Sequence, residues 1–265
     1  MTRRLCLITG ASAGIGAAFA QTYAGHGYDL ALTARRGDRL ESLAAELRAR
    51  HGVEVLVIPA DLTQPGAVDA VLAAVAAQGR VVDALVNNAG FSLAGSYLAS
   101  SWADHASLLQ VLLQIPAEFA HKVLGGMSER GFGRIVNVAS VAGLVPGSSG
   151  HTLYGEVKAA MISFSQSLHL ENAANGVHVT AVCPGFTYSE FHDVNGTRDL
   201  VSRMPSWMWL SADEVAEAGY AAAEANRPMS VPGAAYKAIT VLAKLLPTDA
   251  AMAVMRRQSG RIRRA

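Results

Sequence analysis

Leu5-Cys6-Leu7-Ile8-Thr9 runs directly into Gly10-Ala11-Ser12-Ala13-Gly14-Ile15-Gly16, and a helical pattern continues from Ile15 to His26. A short apolar run, a loop holding three glycines and then a helix form the first βα unit of a nucleotide-binding sheet. Glycines at 10, 14 and 16 permit a tight turn, close approach of backbone to a pyrophosphate, and close packing of helix on strand. The helix N-terminus offers unpaired N–H groups and the positive end of its dipole to phosphate oxygens. An ordinary βα turn needs fewer glycines.

The same alternation recurs outward from this unit. Strands are expected at Leu5–Thr9, Asp29–Ala34, Glu54–Pro59, Ala84–Asn87, Arg134–Ala139, His178–Cys183 and Met229–Val231. Helices are expected at Ile15–His26, Arg36–Arg50, Pro65–Gln78, Trp102–Met127 and Leu153–Asn172. Nearly continuous apolar, β-branched strands between helices predict an α/β fold with a parallel sheet covered on both faces. Right-handed crossovers make it a Rossmann-like doubly wound sheet of about seven strands. No internal repeat or Pro/Gly/Ser-rich linker interrupts the chain, so residues 1–265 read as one domain. Residues 186–210 lack periodicity and gather Phe186, Tyr188, Phe191, Trp207 and Trp209, a composition expected of a lid. Residues 238–265 form a C-terminal extension in which apolar residues, broken by Pro247, precede Arg256, Arg257, Arg261, Arg263 and Arg264.

Composition narrows the field. The chain has 265 residues, 51% hydrophobic and 16% charged, enough apolar material for a large core and too much for disorder. Lys plus Arg number 22 and Asp plus Glu 21, so no basic footprint for nucleic acid spreads over the protein. Cys6 and Cys183 are too few for a disulfide scaffold or a cysteine-rich zinc site, and no metal is expected. With a charged N-terminus unlike a signal peptide, they point to the cytosol. The longest charge-free run, Ile135 to Gly155, contains Asn137, Pro146, His151 and several glycines, and does not read as a membrane span.

The spacing Gly10-x3-Gly14-x-Gly16 resembles the short-chain dehydrogenase/reductase family, single-domain type, and further pieces match in order. Asp61-Leu62 follows the third strand, and Asn87-Asn88-Ala89-Gly90 the fourth. Ser140 ends the fifth, Tyr154-x3-Lys158 opens the next helix, and Pro184-Gly185 follows the sixth. The resemblance spans about Arg4 to Ser189. It implies an oxidoreductase that moves a hydride between a nicotinamide and a carbonyl or alcohol substrate. Thr9, Gly10, Ser12, Gly14, Ile15 and Gly16 would then form the phosphate turn. Asp61 with Leu62 would hold the adenine, while Asn87, Ala89 and Gly90 would position the cofactor. Pro184, Gly185, Thr187 and Ser189 would meet the nicotinamide side.

The second strand ends in Thr33-Ala34-Arg35-Arg36, where an acid would bind the ribose hydroxyls of NAD. Arg35 and Arg36 suit a 2′-phosphate through charge-assisted bonds, which favours NADP. The alternative is a solvated arginine pair. Asp61 also reads as a turn cap ahead of Thr63, and both roles are compatible.

Tyr154 and Lys158 lie one helical turn apart and share a face. A free tyrosine titrates near pH ~10, and a neighbouring ammonium together with the positively charged nicotinamide is expected to draw it toward the working pH. Ser140 would hold the substrate oxygen while Tyr154 gives the proton, and Lys158 would serve both the phenol and the nicotinamide ribose. Three departures from the family pattern stand out. Leu112 occupies the position of the family's Asn, and an apolar side chain cannot hold the water of a proton relay; Gln110 and Gln114 point elsewhere unless the helix bulges. Ser140 and Tyr154 are fourteen positions apart, one more than usual, with the extra residue in Gly147–His151. Gly155-Glu156-Val157 replaces a smaller stretch. A non-catalytic NADP-binding protein is therefore the alternative function.

Leu153, Val157, Met161, Phe164 and Leu168 form an apolar stripe, and Leu108, Leu109, Leu112 and Leu113 another. They predict a helix-mediated homodimer or homotetramer, against burial inside one chain. The Met and aromatic residues of 186–210 suggest an apolar or bulky small-molecule substrate, the alternative being that they pack the lid on the core. The basic tail suits an anionic membrane surface, but a helix packed near the site with a frayed end is the preferred reading.

Overall fold

A computed structural model describes residues 3–93, 95–150, 152–190 and 205–263. His151, Phe191 and most of the expected lid lie outside the described residues, as does Arg264; the side chains of Arg257, Arg261 and Arg263 lie outside the description too.

Seven strands form one sheet: β1 (Leu5–Thr9), β2 (Asp29–Ala34), β3 (Val55–Pro59), β4 (Ala84–Asn87), β5 (Gly133–Val138), β6 (Val177–Val182) and β7 (Met229–Ser230). All pairings are parallel, in the order β3-β2-β1-β4-β5-β6-β7. Every residue of β1, β2, β4 and β5 is buried, as the continuous apolar runs require of strands covered on both faces. One face is covered by α1 (Gly14–Gly25), α2 (Gly37–His51) and α7 (Ala212–Glu224), through Phe19, Tyr23, Leu40, Leu47 and Val215. The other is covered by α3 (Ala67–Ala76), α5 (Ile115–Glu129) and α6 (Tyr154–Asn172), through Val71, Phe119, Met127 and Phe164. Fully burying a Leu or Phe contributes about 1.5–3 kcal/mol, so these faces dominate the stability of the sheet. Strand order reverses between β1 and β4, and a crevice opens there beyond the strand ends.

The expected helix Trp102–Met127 is broken. It comprises α4 (Trp102–Leu109), a π-turn at Gln110–Gln114, and α5. Pro116 has no N–H and gives the Leu112 carbonyl no ordinary i+4 bond. The Ile115 N–H instead reaches back five residues to the Gln110 carbonyl. At the other end of α4, Ser101 and Asp104 form a reciprocal capping box.

The stripe expected at an oligomer contact is largely used within the chain. Val157 and Met161 are buried, and Phe164 and Leu168 pack partly on the core. Leu108 and Leu112 close on Val157 in a separate cluster. The C-terminal extension forms α8 (Ala234–Leu245) and α9 (Thr248–Arg263), separated at Pro247. Among the described residues no helix is long and apolar enough to cross a membrane.

Candidate active site

A cleft of about 1440 Å³ lies at the carboxyl ends of the central strands. Its walls include Gly10, Ser12, Gly14, Ile15, Arg35, Arg36, Asp61, Leu62, Ala89 and Gly90 from the first half of the chain. From the second half come Ser140, Tyr154, Lys158, Pro184, Gly185, Thr187 and Ser189. Three expected cofactor residues do not face it. The Thr9 hydroxyl accepts from the Asn88 and Ala89 N–H groups at 3.0 Å each, tying β1 to the turn after β4. Gly16 lies behind the loop, where a Cβ would fall 2.3 Å from the Gly10 carbonyl oxygen. Asn87 is buried and donates to Asn137 Oδ1 at 2.9 Å, and Asn137 donates to Ser165 Oγ at 2.9 Å. This polar chain pins β4, β5 and α6 together beneath the cleft.

The glycine loop fits a dinucleotide phosphate. Ala13, the N-cap of α1, provides no side-chain cap, and the first turn carries no acid, so no side chain there competes for an anion. A Cβ on Gly10 would lie 2.8 Å from Ala89 Cα, which leaves the floor of the cradle open to backbone alone. At the adenosine end, Arg36 donates through Nε and Nη2 to Ser12 Oγ at 3.3 and 3.1 Å. Asp61 Oδ1 accepts from the Thr63 N–H and hydroxyl at 3.0 and 2.8 Å, and these bonds lower its pKa. Asp61 is thus a turn cap that also faces the cleft.

Ser140 follows β5 and caps a short 3-10 turn, its hydroxyl accepting from the Ala142 N–H at 3.1 Å. Tyr154 is the first residue of α6, and a hydrogen bond joins its hydroxyl to Ser140. Lys158 Nζ stands 5.7 Å from the centre of the Tyr154 ring and donates to the Val138 carbonyl at 2.6 Å. Burial pushes the Tyr154 phenol up to about 12, against a smaller downward pull from Ser140. Burial draws the Lys158 ammonium down to about 8. The expected lowering of Tyr154 by Lys158 is therefore reversed in the chain itself. Desolvation disfavours the phenolate, and the nearest carbonyl claims the ammonium. Tyr154 keeps its proton at neutral pH, the state a proton donor needs.

Residues 4–198 match the protein family described as short chain dehydrogenase. Nodulation protein G of Rhizobium sp. (strain N33) is 37% identical over 221 residues, covering 82% of this chain and 88% of that protein. The chain belongs to the short-chain dehydrogenase family. It is an oxidoreductase of that family, and among solved structures it is similar to a short-chain dehydrogenase from Sphingobium yanoikuyae in complex with NADPH. That pair shares 34% identity and a TM-score of 0.79, over 86% of this chain and 87% of the other. The bulky-bulky ketone specific alcohol dehydrogenase from Comamonas testosteroni is 30% identical with a TM-score of 0.76, over 88% and 87% of the two chains.

Against the short-chain dehydrogenase pattern, the π-turn changes the meaning of Leu112. Its side chain is buried against Gly90, where a Cβ would lie 2.6 Å from Leu112 Cδ2. Gln110 is committed to the Thr63 carbonyl at 3.1 Å and does not replace the family Asn. What the turn offers is backbone: Pro116 withholds its donor from the Leu112 carbonyl. The longer segment before Tyr154 is taken up by left-handed residues, Gly150 with φ +98° and Leu153 with φ +72°. A leucine in that region stores about 1 kcal/mol of strain, directly before Tyr154.

Tyr236, Val254 and Glu190 were not singled out from the sequence, whereas Ile239, Leu242, Leu246 and Met255 belong to the apolar segment expected to pack near the site. Tyr236 accepts from the Phe186 N–H at 2.9 Å and donates to the Met208 carbonyl at 2.5 Å, holding both chain segments that flank 191–204. Ile239, Leu242, Leu246, Val254 and Met255 of the C-terminal segment form an apolar outer wall with Val145 and Pro146. Their helical spacing is visible in the sequence, but no local signal says which face meets the cleft. Glu190 joins Arg36 and Arg39 at the adenosine end.

Proposed function

We propose that the protein is an NADPH-dependent reductase of bulky apolar ketones or aldehydes, working through Ser140, Tyr154 and Lys158. The observation that carries this reading is the half-buried Ser140–Tyr154 hydrogen bond with buried Lys158 beside it, in the same cleft as the uncapped glycine loop. NADP is the cofactor because Arg35 and Arg36 stand where an NAD-binding acid would, and the similar Sphingobium enzyme was solved with NADPH. Gly10, Ser12, Gly14 and Ile15 would hold the phosphates, Asp61 and Leu62 the adenine side. Ala89, Gly90, Pro184, Gly185, Thr187 and Ser189 would hold the nicotinamide half, with Thr9, Gly16 and Asn87 fixing the loop from behind.

When bound, NADPH supplies the hydride for the carbonyl carbon. Ser140 donates to the substrate oxygen and orients it. Tyr154 holds its proton on Oη and delivers it to that oxygen as negative charge develops there. The Lys158 ammonium, anchored at the Val138 carbonyl, stabilises the charge left on the phenol oxygen. Walls from α8 and α9 exclude water and bury apolar substituents. A binding-only role gives no reason for these three polar side chains to meet at the end of a hydride-transfer cleft.

The chain works as one domain, with 186–210 in the role of a lid and the segment from Ile239 to Met255 as outer wall. A homodimer or homotetramer is supported by family membership and by exposed Leu98, Trp102 and Leu170, and light scattering tests it. Both cysteines are free and buried, which suits the cytosol. No membrane or nucleic-acid partner is proposed. A series of ketones with rising substituent size tests the substrate class. KM should fall with apolar bulk, and a preference for small polar carbonyls would contradict it.

A further inference from the structure

At the adenosine end the two guanidinium groups already hold an anion. Glu190 Oε2 pairs with Arg36 Nη1 at 2.8 Å, and Oε1 pairs with Arg39 Nη1 at 2.5 Å. These partners lie 154 and 151 residues away in sequence, so no local preference explains the contact. Arg36 also donates to Ser12, and so joins the glycine loop to the segment after β6. The same segment lies close over the loop, since a Cβ on Gly14 would fall 2.8 Å from Ser189 Cβ. Arg36, Arg39 and Glu190 are each 41–46% exposed, open to water and to an incoming ligand. Hydrogen bonds from the two arginines hold the Glu190 carboxyl below its ordinary range, so it is ionised throughout the neutral region.

We infer that Glu190 is a cofactor-selectivity residue whose carboxylate competes with the 2′-phosphate of NADP for Arg36 and Arg39. The inference rests on the proposed role of Arg36 as a phosphate ligand. A phosphate monoester carries about −1.5 to −2 charge and three acceptor oxygens, against one charge and two oxygens for Glu190, so the phosphate prevails. It prevails at a cost, because both ion pairs must be given up or shared with a like charge. The 2′-hydroxyl of NAD is neutral and leaves the pairs intact. Glu190 therefore narrows the preference for NADP that the arginines create, and adds Arg39 to the phosphate site.

The test is calorimetric titration of the full chain with NADP+, NAD+ and 2′,5′-ADP, using wild type, Glu190→Gln and Arg36→Ala. Glu190→Gln should tighten NADP+ and 2′,5′-ADP by about three- to tenfold at low salt, the scale of two partly exposed ion pairs. The gain should shrink as salt screens the charges. NAD+ affinity should stay unchanged, which also shows that the adenosine site is intact. Unchanged or weaker NADP+ binding by Glu190→Gln would overturn the inference, as would equal tightening of NAD+. An Arg36→Ala variant that keeps the wild-type ratio of NADP+ to NAD+ affinity would remove the Arg36 reading itself. If Arg36→Ala loses that ratio and Glu190→Gln is silent, the inference alone fails.

Discussion

Replacing Lys158 by Met should change how stability depends on pH. Lys158 is buried in the fold, and burial lowers its pKa from 10.5 to about 8. Its unfolded chain keeps the ordinary value. Between about pH 8 and 10.5 the unfolded state therefore binds a proton that the folded state does not, and unfolding free energy rises with pH across that window. Below pH 8 both states are protonated and the desolvation cost is fully present. At about 1.4 kcal/mol per pH unit, the wild type gains about 3 kcal/mol over this window that Lys158→Met cannot gain. The Lys158 bond to the Val138 carbonyl is lost in the variant at every pH, so it adds a constant offset between the curves and leaves the pH dependence of their separation to the Lys158 titration. Tyr154 titrates higher, near 12, and Lys158 is not among the causes of its shift, so its contribution cancels between the proteins. Urea unfolding followed by tryptophan fluorescence, at several pH values from 7 to 11 and fixed protein concentration, measures the difference. Parallel stability profiles for the two proteins would refute the reasoning, because they would mean Lys158 titrates alike in both states.

Other outcomes follow from the same geometry. Changing Arg35 and Arg36 together to Ala should remove most of an NADP over NAD preference of at least about tenfold, worth about 1.4 kcal/mol, as calorimetry would show. Gly16→Ala places a Cβ 2.3 Å from the Gly10 carbonyl oxygen and 2.5 Å from Asn88 Nδ2. Overpacking of this kind costs about 1–3 kcal/mol in thermal denaturation, and NADPH affinity should fall with it. Leu112→Asn should lower stability by about 1–3 kcal/mol, because it buries an amide beside Gly90, with no gain in turnover. A large rate increase in that variant would show that the side-chain amide is needed.

The sheet was legible because its signal is local and repeated. A strand covered on both faces must be apolar throughout, and β1, β2 and β4 occupy the expected residues without change. The glycine loop was legible from its place between the first strand and helix, and Ser140, Tyr154 and Lys158 because their order along the chain resembles the short-chain dehydrogenase pattern. Other features depended on contacts that spacing does not encode. Apolar periodicity runs straight through Pro116 and hides the π-turn, which the missing N–H of proline could have signalled. The stripe on α6 looked available to a second chain because periodicity marks an apolar face but not its partner; Val157 and Met161 turn inward. Burial decides the direction of the Tyr154 shift, and depth is a property of the whole fold. Glu190 meets Arg36 only because β6 and β2 deliver their following loops to the same end of the cleft.

The most direct measurement is NADPH oxidation with a bulky apolar ketone by the wild type and by Tyr154→Phe. The substitution removes the transferable proton and leaves the ring in place. Turnover should fall by at least about 10²-fold, the usual loss when general acid catalysis is removed, with NADPH affinity little changed. A Tyr154→Phe protein that reduces the ketone at the wild-type rate would contradict the assignment of this site.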